Sequence, residues 1–331
     1  MPTPKPKGSG INTAFQRLWR SLPVALSYVV AGACLFWIFH DVNWHDLLHS
    51  MERIVWWRLL PVAVLDIASY LIVAYEWQLL LRPAGRLGFI DASRAVFAGR
   101  FANDVLPVQL GYLVRIFLAS RAMGERVSVV VPSLLLERLL DGWWLGVGIL
   151  LLTFYTPLPS SIIRARNILG GVVVAGLLVM VFLAFKRRKP NHSTRQPGHV
   201  RRPVEVIRGF LHRVIEGMSD IARSHVLPAV VLLAAVKLLV QGFAYFAVLW
   251  AYGLEVSVWT GLAVFLIAYL GITVPSTPAS AGVFQFFSVL GLELFGIEKT
   301  TASGVSLVAF VVLTAPLAAT GFYAVATSGL T

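Results

Sequence analysis

The sequence predicts an all-α polytopic membrane protein with about six full spans and two broken reentrant hairpins arranged as an inverted repeat. Three observations carry that reading. Of 331 residues, 57% are apolar and 13% charged, with a mean hydropathy of +0.77, far outside the composition of soluble domains. The basic residues behind the +12 net charge stand at the ends of apolar runs, the positive-inside pattern of a membrane protein rather than a nucleic-acid surface. Two apolar stretches are interrupted by a Pro-x-x-x-Gly core, Pro107 to Gly111 and Pro278 to Gly282. An unpaired backbone group in hydrocarbon is costly, so broken backbone at that depth survives only inside protein or beside a wet cavity.

Lys5, Lys7, Arg17 and Arg20 precede the first apolar run, 22–39, which has span length and lacks an Ala-x-Ala exit. This predicts a retained first span behind a cytoplasmic tail at 1–21 rather than a cleaved signal. Residues 40–58 carry Trp44, Trp56 and Trp57, rings favoured at headgroup level, and form an outward loop. The second span, 59–81, contains Asp66 and Glu76 and ends inside at Arg82 and Arg86. Between 82 and 126 stand seven arginines against three acids, so both ends of that segment face the cytoplasm. Its two arms are too short to cross at about 1.5 Å per residue, which predicts a hairpin over 91–121 turning at Pro107. The third span, 127–152, carries Glu137, Arg138 and Asp141. The two acids share a helical face, and Arg138 is near enough for neighbours to neutralise it.

An outer loop at 153–166 and a fourth span at 167–185 complete the first membrane half, 22–185. The linker 186–227 holds ten Lys/Arg against three acids. Its first part is polar and expected to be disordered. Its second part sets Val206, Ile207, Phe210, Leu211, Val214, Met218 and Ile221 at helical spacing, an amphipathic helix suited to an anionic leaflet. The second membrane half, 228–331, opens with a fifth span, 228–252, that carries Lys237 and Gln241, and closes with a span at 302–326. Residues 259–296 form either a full span plus a reentrant helix or a second hairpin. The first option would leave the acids Glu293 and Glu298 on the cytoplasmic side with only Lys299, so charge favours the hairpin. The two halves then run in opposite senses and their breaks meet near the bilayer centre.

The candidate binding residues follow from these breaks. They are Asn103, Asp104, Pro107, Gly111 and Arg115 in the first, Pro275, Thr277, Pro278, Gly282 and Gln285 in the second, and Glu137, Arg138 and Asp141 in the third span. An isolated charge at the helix centre costs at least about 2.5–3.5 kcal/mol on insertion scales, so Arg115 needs Asp104, Glu137 or Asp141, with a lipid phosphate competing for its fork of donors. Asn103 and Gln285 either bond a headgroup or cap the broken helix ends. A pairing of Asp66 with Lys237 across the halves is one option for those two charges. Cys34 is the sole cysteine and the seven histidines have no ligand spacing, so neither a disulfide nor a metal or other cofactor is expected. No nucleophile elbow or phosphate-binding glycine loop occurs, and the chain is not expected to be an enzyme; an intramembrane carboxylate pair is the catalytic option left open.

Asn103, Leu106, Pro107, Gly111 and Arg115, then Glu137-Arg138 with Asp141, then Pro275-Ser276-Thr277-Pro278, Gly282, Val283 and Phe284 together resemble one family over about 20–326. It is the family of the transmembrane flippase region of bacterial lysylphosphatidylglycerol synthases and its stand-alone relatives. The resemblance implies a multi-pass bacterial inner-membrane protein, N-terminus cytoplasmic, that moves or presents a lipid or lipid-linked molecule between leaflets. Its partners would be membrane lipids with an anionic headgroup and no nucleic acid. The alternative is a non-transporting scaffold or accessory subunit that docks a lipid-synthesis enzyme or glycosyltransferase through 186–227. The sequence ends at Thr331 without the separate aminoacyl-transferase domain of the full-length synthases, so lysyl transfer is not expected. Two positions depart from the family pattern: Tyr112 and Gln285 stand where an acid is usual. If those acids bind a headgroup or a proton in relatives, this chain has a different substrate or no longer transports.

Overall fold

A helix that crosses hydrocarbon satisfies its own backbone and turns its polar side chains towards protein. Leu59–Leu81 shows this inversion: Asp66, Ser69 and Glu76 are buried while Leu60, Val64 and Leu71 are exposed. The computed structural model describes residues 10–40, 42–52, 54–106, 109–155, 170–171, 173–179, 181–182, 203–273 and 277–327, and the regular structure among them is entirely helical. In order these are α1 (Gly10–Phe39), α2 (Trp44–Glu52), a 3-10 turn (Trp56–Arg58), α3 (Leu59–Leu81), α4 (Phe89–Val105), α5 (Gly111–Met123) and α6 (Val127–Tyr155). There follow α7 (helical at 170–171, 173–179 and 181–182), α8 (Pro203–Ala222), α9 (Leu227–Ala251), α10 (Val258–Ile272), a 3-10 turn (Pro278–Ser280), α11 (Val283–Leu294) and α12 (Lys299–Ala326).

The chain is an all-α polytopic membrane protein. Among the described residues, Trp56–Leu81, Leu227–Ala251 and Lys299–Ala326 are long and apolar enough to cross a bilayer. α9 and α12 repeat the inversion of α3: Lys237, Ser303 and Ser306 are buried, whereas Leu232, Leu239, Val311 and Phe322 are exposed. α6 has the length, at 29 residues, but carries three charges. α1 begins at Gly10, twelve residues before the expected span, because an apolar run marks where a helix meets lipid and not where its backbone starts to coil. Most of the outer loop expected at 153–166, most of the expected fourth span and the polar stretch 183–202 lie outside the described residues, as do Pro107 and Pro275; residues 153–155 belong to the end of α6.

Two helical hairpins stand out. α4 and α5 pack on each other, as do α10 and α11, and α12 lies along α4 with Gly321 against Phe101 and the Phe97 carbonyl. α5 stops at Gly124, whose φ of 67° closes the helix by bonds back to Ser120 and Arg121, a left-handed cap that glycine adopts without strain. α4 starts beside the end of α3, where Gln78 donates to the Leu87 carbonyl, and α10 starts just after the end of α9. One end of the bundle gathers aromatic rings: Trp57 meets Trp250, Tyr155 stacks on Trp259, and Arg58 covers Trp250 at 4.0 Å. The other end gathers the termini of α3 and α5 and the starts of α4, α6 and α9, with Arg82, Arg86, Arg121, Arg126 and Arg223.

The apolar interior is split accordingly. One cluster, around Tyr245, Leu249, Val264, Leu292 and Val305, fills the aromatic end. A second, around Trp77, Leu80, Ala92, Leu136 and Val230, fills the arginine-rich end. The apolar stripe of α8 is divided too. Val214 and Ile221 are buried, and Gly217 lies so close to Pro132 of α6 that a Cβ would come within 2.6 Å of the ring; Phe210, Leu211 and Ile215 stay exposed.

Candidate functional site

Each break is held by side chains of its own loop. α4 ends at Val105, Leu106 is extended, and the Asn103 carbonyl oxygen Oδ1 accepts the first amide of α5, Gly111 N, at 2.7 Å. The two arms nearly touch there: a Cβ on Gly111 would lie 1.9 Å from the Gly99 carbonyl, so only hydrogen fits. In the second break Thr277 Oγ1 donates to the Ala281 carbonyl at 2.6 Å, and Gln285 Oε1 reaches back to accept Gly282 N at 2.7 Å. That is the N3-to-cap half of a capping box. Asn103 and Gln285 therefore serve as caps.

Three non-glycine residues among those described have positive φ: Gln109 (56°), Ala279 (53°) and Ser280 (55°). All three lie in the breaks, one in the first and two in the second. Left-handed backbone is unfavourable for side chains other than Gly, Asn and Asp, and it persists where surrounding structure imposes it. The tips meet directly, since Gln109 Nε2 donates to the Ile272 carbonyl at the end of α10 at 3.2 Å.

Behind the breaks runs a chain of six alternating charges. Glu76 accepts Lys237 at 2.7 Å; Lys237 lies 2.5 Å from Asp141; Asp141 lies 3.3 Å from Arg138. Arg138 donates to Glu137 at 2.8 Å, and Arg115 donates to both Glu137 oxygens, at 2.9 and 2.6 Å. Three cations and three anions cancel, which is how charges persist where water is scarce. Of the options open to Asp66 and Lys237, pairing with each other is not the one adopted. Lys237 faces α3 at Glu76, and its ammonium divides itself between that carboxylate and Asp141. Arg115 has the partner expected of it, and its guanidinium also lies 4.0 Å from the Trp77 ring, whose N–H donates to Ser133 Oγ.

A cavity of about 500 Å³ opens beside this chain, walled by both breaks. Of the residues singled out from the sequence, Asn103, Arg115, Arg138, Asp141 and Thr277 line it. Glu137 is fully buried behind the wall, and Asp104, Gly111, Pro278, Gly282 and Gln285 support the breaks without lining it. The lining also includes Arg100, Gln109, Tyr112, Lys237, Gln241 and Tyr269, which sequence reasoning left out of the site. Arg100 stands three and four residues before Asn103 and Asp104, so helical spacing alone would have placed it there. Lys237 is an ammonium in the middle of an apolar span, itself a signal of function.

The cavity sits at mid-depth. Tyr70 is the central residue of the 23-residue α3, Asp141 is central in the 29-residue α6, and Lys237 and Gln241 flank the centre of α9; all four line it. Its charged lining is lopsided, with Arg100, Arg115, Arg138 and Lys237 against Asp141 alone among the described residues. Arg115 and Lys237 are almost wholly buried, whereas the Arg138 side chain is 41% exposed, with both of its carboxylate contacts made through Nη2. The Tyr112 ring lies 4.9 Å from that guanidinium. No cluster of three metal-ligating side chains occurs among the described residues.

The sequence profile of the family described as the lysylphosphatidylglycerol synthase TM region matches residues 24–321, which takes in both breaks, the charge chain and the cavity. The chain belongs to that family. It is also similar to a UPF0104 membrane protein of Methanocaldococcus jannaschii, with 21% identity over 209 residues, 62% of this chain and 84% of the relative. In this member of the lysylphosphatidylglycerol synthase TM family, the two positions that depart from the expected pattern have plain structural roles: Tyr112 presents a ring to Arg138, and Gln285 caps α11.

Proposed function

We propose that this protein translocates a lipid or lipid-linked molecule with an anionic headgroup between the leaflets of the bacterial inner membrane. The supporting observation is the mid-depth cavity, bounded by both breaks and lined by four cations and one acid. A volume of about 500 Å³ suits a headgroup and leaves acyl chains in the bilayer. Arg138, exposed and unengaged through its other nitrogens by either carboxylate, is the guanidinium that meets the headgroup; Arg115 is committed to Glu137. Arginine suits this role because its donors match phosphate oxygens.

In this reading α4–α5 and α10–α11 are reentrant hairpins of an inverted repeat, and rocking of one half against the other at their tips gives alternating access. The arginine-rich end, including the N-terminus, faces the cytoplasm, and the aromatic end faces outward. A second reading, an accessory scaffold, is favoured by the exposed Phe210, Leu211 and Ile215 of α8 beside the basic linker. Co-purification from native membranes of a stoichiometric partner that is lost on deleting 190–224 would select it.

The deciding assay is reconstitution in liposomes carrying a headgroup-labelled phosphatidylglycerol in one leaflet. Wild type is expected to accelerate its exchange, and Arg138→Gln to slow it at least tenfold while remaining folded. No acceleration by wild type, or equal rates in the two proteins, refutes the proposal.

A further inference from the structure

The alternating chain leaves out Asp66, Arg100 and Asp104, which form a separate group between α3 and α4. Asp66 is 5% exposed, and its Oδ2 has no hydrogen-bond partner. The Asp104 side chain is as deeply buried; its Oδ1 lies 3.2 Å from Arg100 Nη2, yet neither carboxylate oxygen makes a hydrogen bond. Arg100 Nε is also unpartnered, and the guanidinium lies 5.9 Å from the Tyr70 ring. Across the α3–α4 contact, Asp66 shares a helical face with Tyr70, whose ring the Arg100 guanidinium approaches. Among the described residues, the other packed elements bring nothing to balance Asp66. Lys237 of α9 is taken by Glu76 and Asp141, the charges of α6 are engaged with Arg115, Lys237 and each other, and α12 has no ionisable side chain between Lys299 and Tyr323. One guanidinium thus faces two carboxylates at bilayer depth, and the excess carboxylate has an oxygen with nothing to accept.

We infer that Asp66 is a proton-binding site, coupled through Arg100 to occupancy of the cavity. Arg100 belongs to both places, since it pairs with Asp104 and lines the cavity. An anion that draws the guanidinium away leaves Asp66 and Asp104 facing each other as like charges, and Asp66 then holds its proton more tightly. Linkage makes the converse hold: protonation of Asp66 strengthens anion binding by the same factor. The proton exchanges with solvent at a carboxylate oxygen of Asp66, and no other bond changes. The anion's identity rests on the proposed function; the proton site does not.

The test is an infrared pH titration of the purified full-length chain in phosphatidylcholine nanodiscs without added substrate. The expected result is a protonated-carboxyl band that titrates in wild type and is lost in Asp66→Asn, a variant of the same shape whose monodispersity is checked by size exclusion. Asp104→Asn removes the like charge and moves the midpoint to lower pH, while Arg100→Gln removes the cation and moves it to higher pH. A band that survives Asp66→Asn, midpoints that do not move, or a band displaced by sodium in place of potassium overturns the assignment. Adding phosphatidylglycerol to the discs is expected to raise the wild-type midpoint by about one unit, roughly tenfold in proton affinity, and to leave Arg100→Gln unmoved. Equal shifts in both proteins reflect surface potential and overturn the coupling. Absence of a titrating carboxyl band in wild type, with its lipid exchange intact, would refute this inference alone.

Discussion

Glu137→Gln removes one negative charge from the middle of the buried chain and changes almost nothing in volume. Glu137 is wholly buried and receives three bonds, two from Arg115 and one from Arg138. Bonds to charged groups contribute about 1.5–3 kcal/mol each. Oε1 accepts two of the three, so a glutamine with its oxygen there loses one bond outright, and the two guanidiniums lose the anion between them. The expected loss is about 3–5 kcal/mol, that seen when one partner of a buried pair is removed. The assay is reversible unfolding in mixed micelles at rising detergent denaturant, run also on Arg115→Met and the double variant. The double variant is expected to be more stable than the sum of the two losses predicts, because both charges leave together. A loss below about 1 kcal/mol for Glu137→Gln, or strict additivity, would refute the view that the chain balances charge as a unit.

Gly111→Ala places a Cβ 1.9 Å from the Gly99 carbonyl and should abolish folded protein, whereas Gly142→Ala, in the cavity wall with open space around it, should leave the melting temperature unchanged. Fluorescence-detected size exclusion after heating distinguishes the two. Asn103→Leu orphans the Gly111 amide at a buried helix start and should cost about 1–3 kcal/mol, read in the same unfolding assay. Tyr112→Glu puts a carboxylate beside the exposed Arg138 guanidinium; anionic-lipid exchange should fall several-fold with stability unharmed, and an unchanged exchange rate would argue against Arg138 as the headgroup contact.

Much of the architecture is legible in the linear chain because membrane helices announce themselves by length and polarity. α3, α6 and α9 begin and end within a few residues of the apolar runs, and both breaks coincide with Pro and Gly. Two features were not legible. Asp66 and Glu76 are ten residues apart on α3, and nothing in one sequence says which is level with Lys237; the vertical register of α3 against α9 is set by how the two apolar clusters fill, and it chooses Glu76. Adjacent Glu137 and Arg138 point to different surroundings because neighbouring residues on a helix are turned about 100° apart. Composition cannot say which of the pair is sealed in and which faces open space, so the guanidinium picked from the sequence, Arg115, proved to be the sealed one.

The Gln109 side chain ties one half of the molecule to a main-chain oxygen of the other at the place where both chains bend. A single neutral bond of this kind contributes only about 0.5–1.5 kcal/mol, and the twisted residues around it would gain by relaxing. Elsewhere the halves are held by the packing of α3 on α9 and of α4 on α12 and by the two ion pairs of Lys237, so the tips carry the lightest of the ties between them. Thermal motion that parts the two bends will therefore begin at this latch, ahead of the helix contacts behind it.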